Sequence, residues 1–118
     1  KYIEPSILES YFGSVTYFQQ MCIVGLGLDQ PILLAVPSVK AKENKESVTK
    51  NLVELLLKVN SSLDGYKKIK KIVLVKDEWL PENGLSTPTL KIKRAKIDER
   101  FSNNYESWYS SNESILWE

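Results

Sequence analysis

The chain has 118 residues, of which 42% are hydrophobic and 26% charged, and its 16 basic and 15 acidic side chains give a formal net charge of +1. This length accommodates one domain with a modest core, and the composition excludes a disordered or collagen-like chain. A net charge this close to zero by itself predicts no polyanionic partner. The absence of histidine removes the commonest metal ligand and the usual general base of a catalytic triad.

The single cysteine, Cys22, lies in the apolar run MCIVGL, so an internal disulfide is impossible and we expect a buried thiol in a reducing compartment. No apolar run approaches the ~20 residues that a membrane span requires, and no leader pattern opens the chain. We therefore expect a cytoplasmic location without a transmembrane segment. Because the sequence starts on Lys1 and goes directly into a structured pattern, we also expect a piece of a longer polypeptide.

The first third of the chain predicts a short helix and two strands. Pro5 suits the first helical position and Gly13 the end of the helix. The runs SVTYFQQMCIVGLG and ILLAVPSV predict a pair of antiparallel strands. The Gly-Leu-Gly between them lacks a third glycine and precedes a strand, so it indicates a hairpin turn and not a phosphate loop. The apolar positions at helical spacing in the first helix are Ile7, Leu8, Tyr11 and Phe12.

The rest of the chain predicts two more helices and one more strand. The run KENKESVTKNLVELLLKVNSSL has an apolar stripe at helical spacing, with Asn44 as its cap. A third strand is predicted from Ile69 to Val75, and a last helix carries Ile97 and Trp108. The element order predicts a single α+β domain over residues 1–118, in which helices pack on a small three-stranded sheet.

A basic loop separates the third strand from the last helix. Between Tyr66 and Lys96 there are nine basic and three acidic residues, a local surplus of six. The loop contains an Asn-Gly turn and a Thr-Pro-Thr segment, and it ends in alternating apolar and basic residues from Leu90 to Lys93. It could be a solvated connector, a surface for nucleic acid with aromatic side chains as stacking platforms, or a device that carries a lysine into an active site on another domain. The aromatic candidates for stacking are Tyr66, Trp79 and Trp108.

The segment ENGLSTPTLKIKR closely resembles the C-terminal signature of long-chain fatty acyl-CoA synthetases, which belong to the adenylate-forming ligase superfamily. That family typically reads close to E-N-G-L-L-T-P-T-L-K-L-K-R, so the visible departures here are Ser86 and Ile92. KYIEPSILE resembles the family's segment after the interdomain hinge, and VGLGLDQPILLAVPS resembles its strand, turn and strand. The resemblance covers nearly the whole chain.

The resemblance implies the C-terminal lid domain of an acetyl-CoA synthetase-like ligase fold. Such an enzyme uses Mg²⁺ and ATP to convert a fatty acid to an acyl-adenylate, then transfers the acyl group to the thiol of coenzyme A and releases AMP. The implied partner is the N-terminal adenylation domain of the same polypeptide, which binds most of these ligands. We therefore expect the fragment alone to be inactive, to bind no metal through its own residues and to bind no nucleic acid. Peripheral membrane association of the full enzyme is left open, as are its acyl-chain length and oligomeric state.

Several site residues follow from the same resemblance. Lys91, three residues before Arg94, matches the lysine that reaches the adenylation site, and Leu90 precedes it where the wider superfamily often has glycine. The resemblance assigns substrate contacts to Tyr2, Ile3, Glu4, Lys93 and Arg94, with the first three lining the pantetheine channel. Candidates for the coenzyme A nucleotide, which could equally be the lysines of a wet strand edge, are Lys67, Lys68, Lys70 and Lys71. The alternative function is a non-catalytic module whose basic loop binds phosphate-containing ligands or nucleic acid.

Overall fold

A mixed sheet of four strands in the order β1-β2-β3-β4 organises the computed structural model, which describes residues 2–118. Strand β1 runs antiparallel to β2, whereas β3 runs parallel to both β2 and β4. The strands are β1 (Phe18–Val24), β2 (Ile32–Pro37), β3 (Lys71–Leu74) and β4 (Ile115–Trp117). The α-helices are α1 (Pro5–Ser10), α2 (Val39–Glu43), α3 (Lys45–Asn60), α4 (Arg94–Phe101) and α5 (Tyr105–Ser110).

The predicted α+β class is confirmed, but the predicted count of three strands is wrong. The additional strand, β4, has three residues, too few to show the two-residue alternation that identifies a strand in sequence. It forms because Ile115 pairs with Ile72 and Trp117 with Leu74, so its position depends on a distant partner. As a result β3 lies inside the sheet and does not form its edge.

Helices cover both faces of the sheet, because alternate residues of each strand point to opposite sides. Leu33 of β2 packs with the core residues of α1 and α3, whereas its neighbour Leu34 packs with those of α4 and α5. Leu85 and Ile92 of the basic loop pack in the same cluster as α4, so this loop and α4 share one face of the sheet, and α1 covers the other.

The hairpin turn predicted between the first two strands is confirmed. Gly25 has a φ of +70° and its carbonyl accepts a hydrogen bond of 3.0 Å from the backbone N–H of Leu28. This positive φ favours glycine, and a Cβ at Gly25 would also lie 2.8 Å from the end of the Leu28 side chain, which would have to move.

Two of the predicted helices differ from expectation. In α1, Leu8 and nearby Phe12 are buried, but Ile7 is 54% and Tyr11 42% exposed, so the four apolar residues do not share one buried face. The last predicted helix is two helices, α4 and α5, separated by a 3₁₀ turn at Ser102–Asn104. None of the helices within residues 2–118 has the length and apolar character needed to cross a membrane.

Candidate active site

The basic loop folds back on itself as a short hairpin. Ser86 and Ile92 form an antiparallel bridge, and outside it the N–H of Lys93 donates to the carbonyl of Leu85 at 3.0 Å. Within it, the N–H of Thr87 donates to the Lys91 carbonyl at 2.8 Å. We call residues 86–92 the lysine hairpin. The loop is therefore ordered by its own hydrogen bonds and is not a free connector.

The tip of the lysine hairpin holds Lys91 at a defined place. The Leu90 N–H donates to the Thr87 carbonyl at 2.7 Å, and the Lys91 N–H donates to Thr87 Oγ1 at 3.0 Å. Leu90 has a φ of 65°, the left-handed region that glycine enters freely and other residues enter at a cost. Leu90 is 61% exposed, so packing of its side chain does not anchor the tip.

A turn that follows the buried Trp79 supports the base of the lysine hairpin. The Asn83 side chain accepts from the Leu80 N–H at 3.0 Å and donates to the Glu78 carbonyl at 2.8 Å, and Gly84 follows with a φ of 79°. Trp79 and Gln20 exchange two hydrogen bonds of 2.8 and 2.9 Å, each between a side chain and a backbone group. The Asn-Gly turn predicted from sequence is confirmed, and β1 fixes its position.

The two lysines of the segment differ from the arginine that follows them. Lys91 and Lys93 are exposed, and within residues 2–118 neither takes part in an ion pair. Arg94, the first residue of α4, is paired with Glu9 of α1 and also donates to the Ile23 carbonyl at 2.9 Å. The hydrogen bond to Glu9 raises the pKa of the Arg94 guanidinium. The arginine thus joins α1, β1 and α4, and its role in substrate binding stays a prediction.

Cys22 lies beside this ion pair, as an interior residue. Its thiol is 1% exposed, and Arg94 Nη1 approaches Cys22 Sγ to 3.4 Å. Burial raises the pKa of the thiol to about 12, with Arg94 opposing the rise. The expectation of a buried thiol is confirmed.

The predicted pantetheine-channel residues begin the described chain. Tyr2 is 74% exposed and its hydroxyl donates to the Glu4 carboxylate at 3.3 Å. At the start of α1 the Glu4 carbonyl accepts from the backbone N–H groups of Ile7, at 3.1 Å, and Leu8, at 3.4 Å. Ile3 is partly buried and lines a groove together with Lys70. The groove also contains Leu28, Gln30, Tyr66 and Tyr109.

The four lysines near β3 have different environments. Lys71 is 4% exposed and its ammonium donates to the backbone carbonyls of Ser111, at 2.6 Å, and Glu113. Desolvation lowers the pKa of Lys71. The alternative of a wet strand edge is wrong for this residue, because β3 is an inner strand. Lys70 is exposed and stands 5.3 Å from the centre of the Tyr109 ring.

Trp79 is fully buried, so it cannot serve as one of the stacking surfaces considered for nucleic acid. Within the described chain, no group of three or more His, Cys, Asp or Glu side chains is placed to hold a metal ion.

Sequence reasoning missed Thr87 and Glu9. Thr87 contacts the backbone of Lys91, and Glu9 holds the arginine that follows the lysine hairpin. The four-residue spacing of Thr87 and Lys91 around a Pro-Thr turn is a signal that could have indicated the first contact. The second contact joins residues 85 positions apart and has no local signal.

Solved structures that share the fold of this chain include parts of two carboxylate reductases. The A-PCP didomain of a carboxylic acid reductase from Segniliparus rugosus, determined in complex with AMP, superposes with a TM-score of 0.74 and 23% identity over 92% of this chain and 16% of that chain. The adenylation domain of a carboxylate reductase from Mycobacterium chelonae gives 0.71 and 19% over 90% of this chain and 18% of that chain. These matches show that the chain has the same fold as the matched part of each structure.

The family model described as AMP-binding enzyme C-terminal domain matches residues 1–113. The chain belongs to this family, which confirms the resemblance given by its sequence.

Curated relatives of this chain include long-chain fatty-acid–CoA ligases. Long-chain-fatty-acid–CoA ligase 6 of Rattus norvegicus is 37% identical over 71 residues, which are 60% of this chain and 10% of that protein. Ligase 5 of the same species is 28% identical over 96% of this chain and 19% of that protein. Ligase 4 of Saccharomyces cerevisiae is 27% identical over 95% and 19% respectively. The chain therefore spans less than a fifth of the length of these relatives.

Proposed function

We propose that this chain is the mobile C-terminal domain of an AMP-forming long-chain fatty-acid–CoA ligase, and that Lys91 supplies a positive charge during acyl-adenylate formation. The observation that carries the proposal is the presentation of Lys91: its backbone is fixed at a hairpin tip, while its side chain is exposed and free of ion pairs within residues 2–118. A lysine in this state is available to a site on another domain.

An ammonium group suits the adenylation step. When the fatty-acid carboxylate attacks the α-phosphate of ATP, anionic oxygens crowd together, and a compact cation beside them offsets their repulsion. At an effective dielectric constant of about 20, a unit charge at about 4 Å contributes roughly 4 kcal/mol, equivalent to about a thousandfold in rate. ATP, its Mg²⁺ and the fatty acid would be bound mainly by the N-terminal domain.

The test uses the full-length protein and separates the two half-reactions. We expect Lys91→Ala to slow acyl-adenylate formation from fatty acid and ATP by at least about a hundredfold, while thioester formation from supplied acyl-adenylate stays within about threefold of the parent rate. Lys96→Ala removes another exposed lysine, five residues along the chain, and serves as the control. Adenylation at the parent rate in Lys91→Ala would contradict the proposal.

The thioester half-reaction would use a different surface of the domain. Ile3 and Lys70 line one groove, which supports a contact between this groove and coenzyme A. We expect Lys70→Ser to raise the KM for coenzyme A several-fold with little change in the KM for ATP. An unchanged KM for coenzyme A would remove Lys70 from the proposed binding surface.

A further inference from the structure

Thr87 contacts both backbone polar groups of Lys91. Its N–H donates to the Lys91 carbonyl at 2.8 Å, and its side-chain Oγ1 accepts from the Lys91 N–H at 3.0 Å. One residue thereby fixes the peptide groups on either side of the Lys91 Cα. Because the direction of a Cα–Cβ bond follows from the positions of the flanking peptides, these bonds also fix the direction in which the lysine leaves the backbone.

The lysine hairpin needs this restraint because its tip is strained. Leu90 occupies the left-handed region without being glycine, and it is 61% exposed, so tertiary packing does little to hold it. The Thr87 carbonyl accepts the Leu90 N–H at 2.7 Å, and Thr87 Oγ1 lies 3.1 Å from Thr89 Oγ1. Thr87 is thus the residue at which the hydrogen bonds of the tip converge.

We infer that Thr87 is a positioning residue for Lys91, whose hydroxyl keeps the ammonium on the path to the adenylation site. The inference rests on the function proposed above. Thr87 touches no substrate; it acts through the geometry of the lysine backbone. Displacement of a catalytic group by about 1 Å can cost about a hundredfold in rate, so loss of the hydroxyl has a measurable effect on catalysis.

The experiment compares matched substitutions in the full-length protein. Thr87→Val keeps the shape of the side chain and removes the acceptor; we expect it to lower the kcat of adenylation by about 10- to 100-fold with KM values for ATP and fatty acid within about threefold. Thr87→Ser retains the hydroxyl and is expected to restore most of the rate. Thr16→Val, the same change at an exposed threonine outside the lysine hairpin, is the control.

Two further readouts separate positioning from folding. Thioester formation from supplied acyl-adenylate should be unchanged in Thr87→Val, and the substitution should have no additional effect in a Lys91→Ala background. Equal loss of both half-reactions in Thr87→Val, or adenylation at the parent rate in that variant, would overturn the inference about Thr87. If Lys91→Ala is slow in the same experiment, the proposed function still stands. A normal Lys91→Ala enzyme would overturn both.

Discussion

Arg94 and Glu9 form an ion pair that connects the helix following the lysine hairpin to the first helix of the chain. The arginine uses two nitrogens toward the carboxylate, with Nη2 at 3.3 Å from Oε1, and Glu9 Oε2 also accepts from the Ile23 N–H at 2.7 Å. Three elements therefore meet at one carboxylate. The pair fixes the start of α4, and with it the outgoing strand of the lysine hairpin, relative to β1.

Removal of this arginine should destabilise the domain. Arg94→Met leaves Glu9, whose side chain is 18% exposed, without its counter-charge. It also leaves the Ile23 carbonyl with the Cys22 thiol, 3.6 Å away, in place of its 2.9 Å bond to the arginine. We expect the free energy of unfolding to fall by about 1–3 kcal/mol. Equilibrium urea denaturation measures the change, with Lys91→Met as the control because that lysine is exposed and unpaired within residues 2–118. Equal midpoints for the two variants would contradict a structural role for Arg94.

Lys71 and Lys70 should respond differently to the same substitution. Lys71→Met leaves two carbonyls, of Ser111 and Glu113, without their donor, and we expect a loss of about 1–3 kcal/mol in unfolding free energy. Lys70→Met removes only an exposed ammonium near the Tyr109 ring, and we expect a loss below about 1 kcal/mol. Thermal or urea unfolding of the two variants checks the difference. The same loss in both would show that the buried contacts of Lys71 contribute little.

The Ser86→Ala variant should be more stable than the parent protein. Ser86 is 1% exposed, and no partner for its Oγ exists within residues 2–118. A buried hydroxyl without a hydrogen bond costs free energy, so Ser86→Ala should raise the free energy of unfolding by about 1 kcal/mol. Ser14→Ala, an exposed serine outside the helices and strands, should change it little. A urea midpoint that falls in Ser86→Ala would mean that the hydroxyl is satisfied in solution.

Leu90 should tolerate glycine better than valine. A left-handed conformation costs about 1–2 kcal/mol for an L-residue, whereas glycine enters it freely but adds about 0.5–1 kcal/mol of unfolded-chain entropy. Because Leu90 is 61% exposed, little packing is lost, and Leu90→Gly should leave stability unchanged or raise it by up to about 1 kcal/mol. Leu90→Val should lower stability, since a β-branched side chain fits this region poorly. The ranking is read from urea midpoints, and valine above glycine would contradict the φ of 65°.

The free energy of unfolding should fall at alkaline pH because the Cys22 thiol is buried. Burial raises the pKa of this thiol from 9.0 to about 12, so the unfolded chain loses the thiol proton at lower pH than the folded one. The contribution to stability is fully present below pH 9.0 and is lost as the pH rises to about 12, with a slope approaching about 1.4 kcal/mol per pH unit.

Unfolding free energies at several pH values between these limits, in the parent and in Cys22→Ala, check this effect. Burial also raises the pKa values of Tyr105 and Tyr109, and the charge of Cys22 raises that of Tyr105 further. The difference in slope therefore measures the thiol together with its effect on Tyr105. Parallel slopes would show that the thiol ionises at the same pH in the folded and unfolded chain.

The sequence contained enough local information for the long elements. Helix α3 was predicted because its apolar stripe spans four turns, and the β1–β2 hairpin because its turn needs glycine at a positive φ. The short strand β4 was missed because three residues carry no periodicity of their own. The break between α4 and α5 was missed because apolar residues continue at helical spacing across the 3₁₀ turn at Ser102–Asn104.

The candidate site was also predicted only where local sequence carried the information. The segment around Lys91 was identified by thirteen consecutive residues that resemble one family. The contacts that fix this segment depend on geometry that composition does not encode: the left-handed Leu90, the hydroxyl of Thr87, and the pairing of Arg94 with a carboxylate 85 positions away. The resemblance identified the lysine, and the structure shows which residues fix its position.

The parallel pairing of β3 with β4 also determines when the sheet can be completed during synthesis. Ile72 faces Leu33 on one side and Ile115 on the other, so one of its two neighbouring strands is translated more than forty residues after it. Until those residues leave the ribosome, the inner strand presents an open edge of backbone donors and acceptors to the cell. Slow translation across the lysine-bearing region would lengthen the time during which a nascent chain is vulnerable to aggregation.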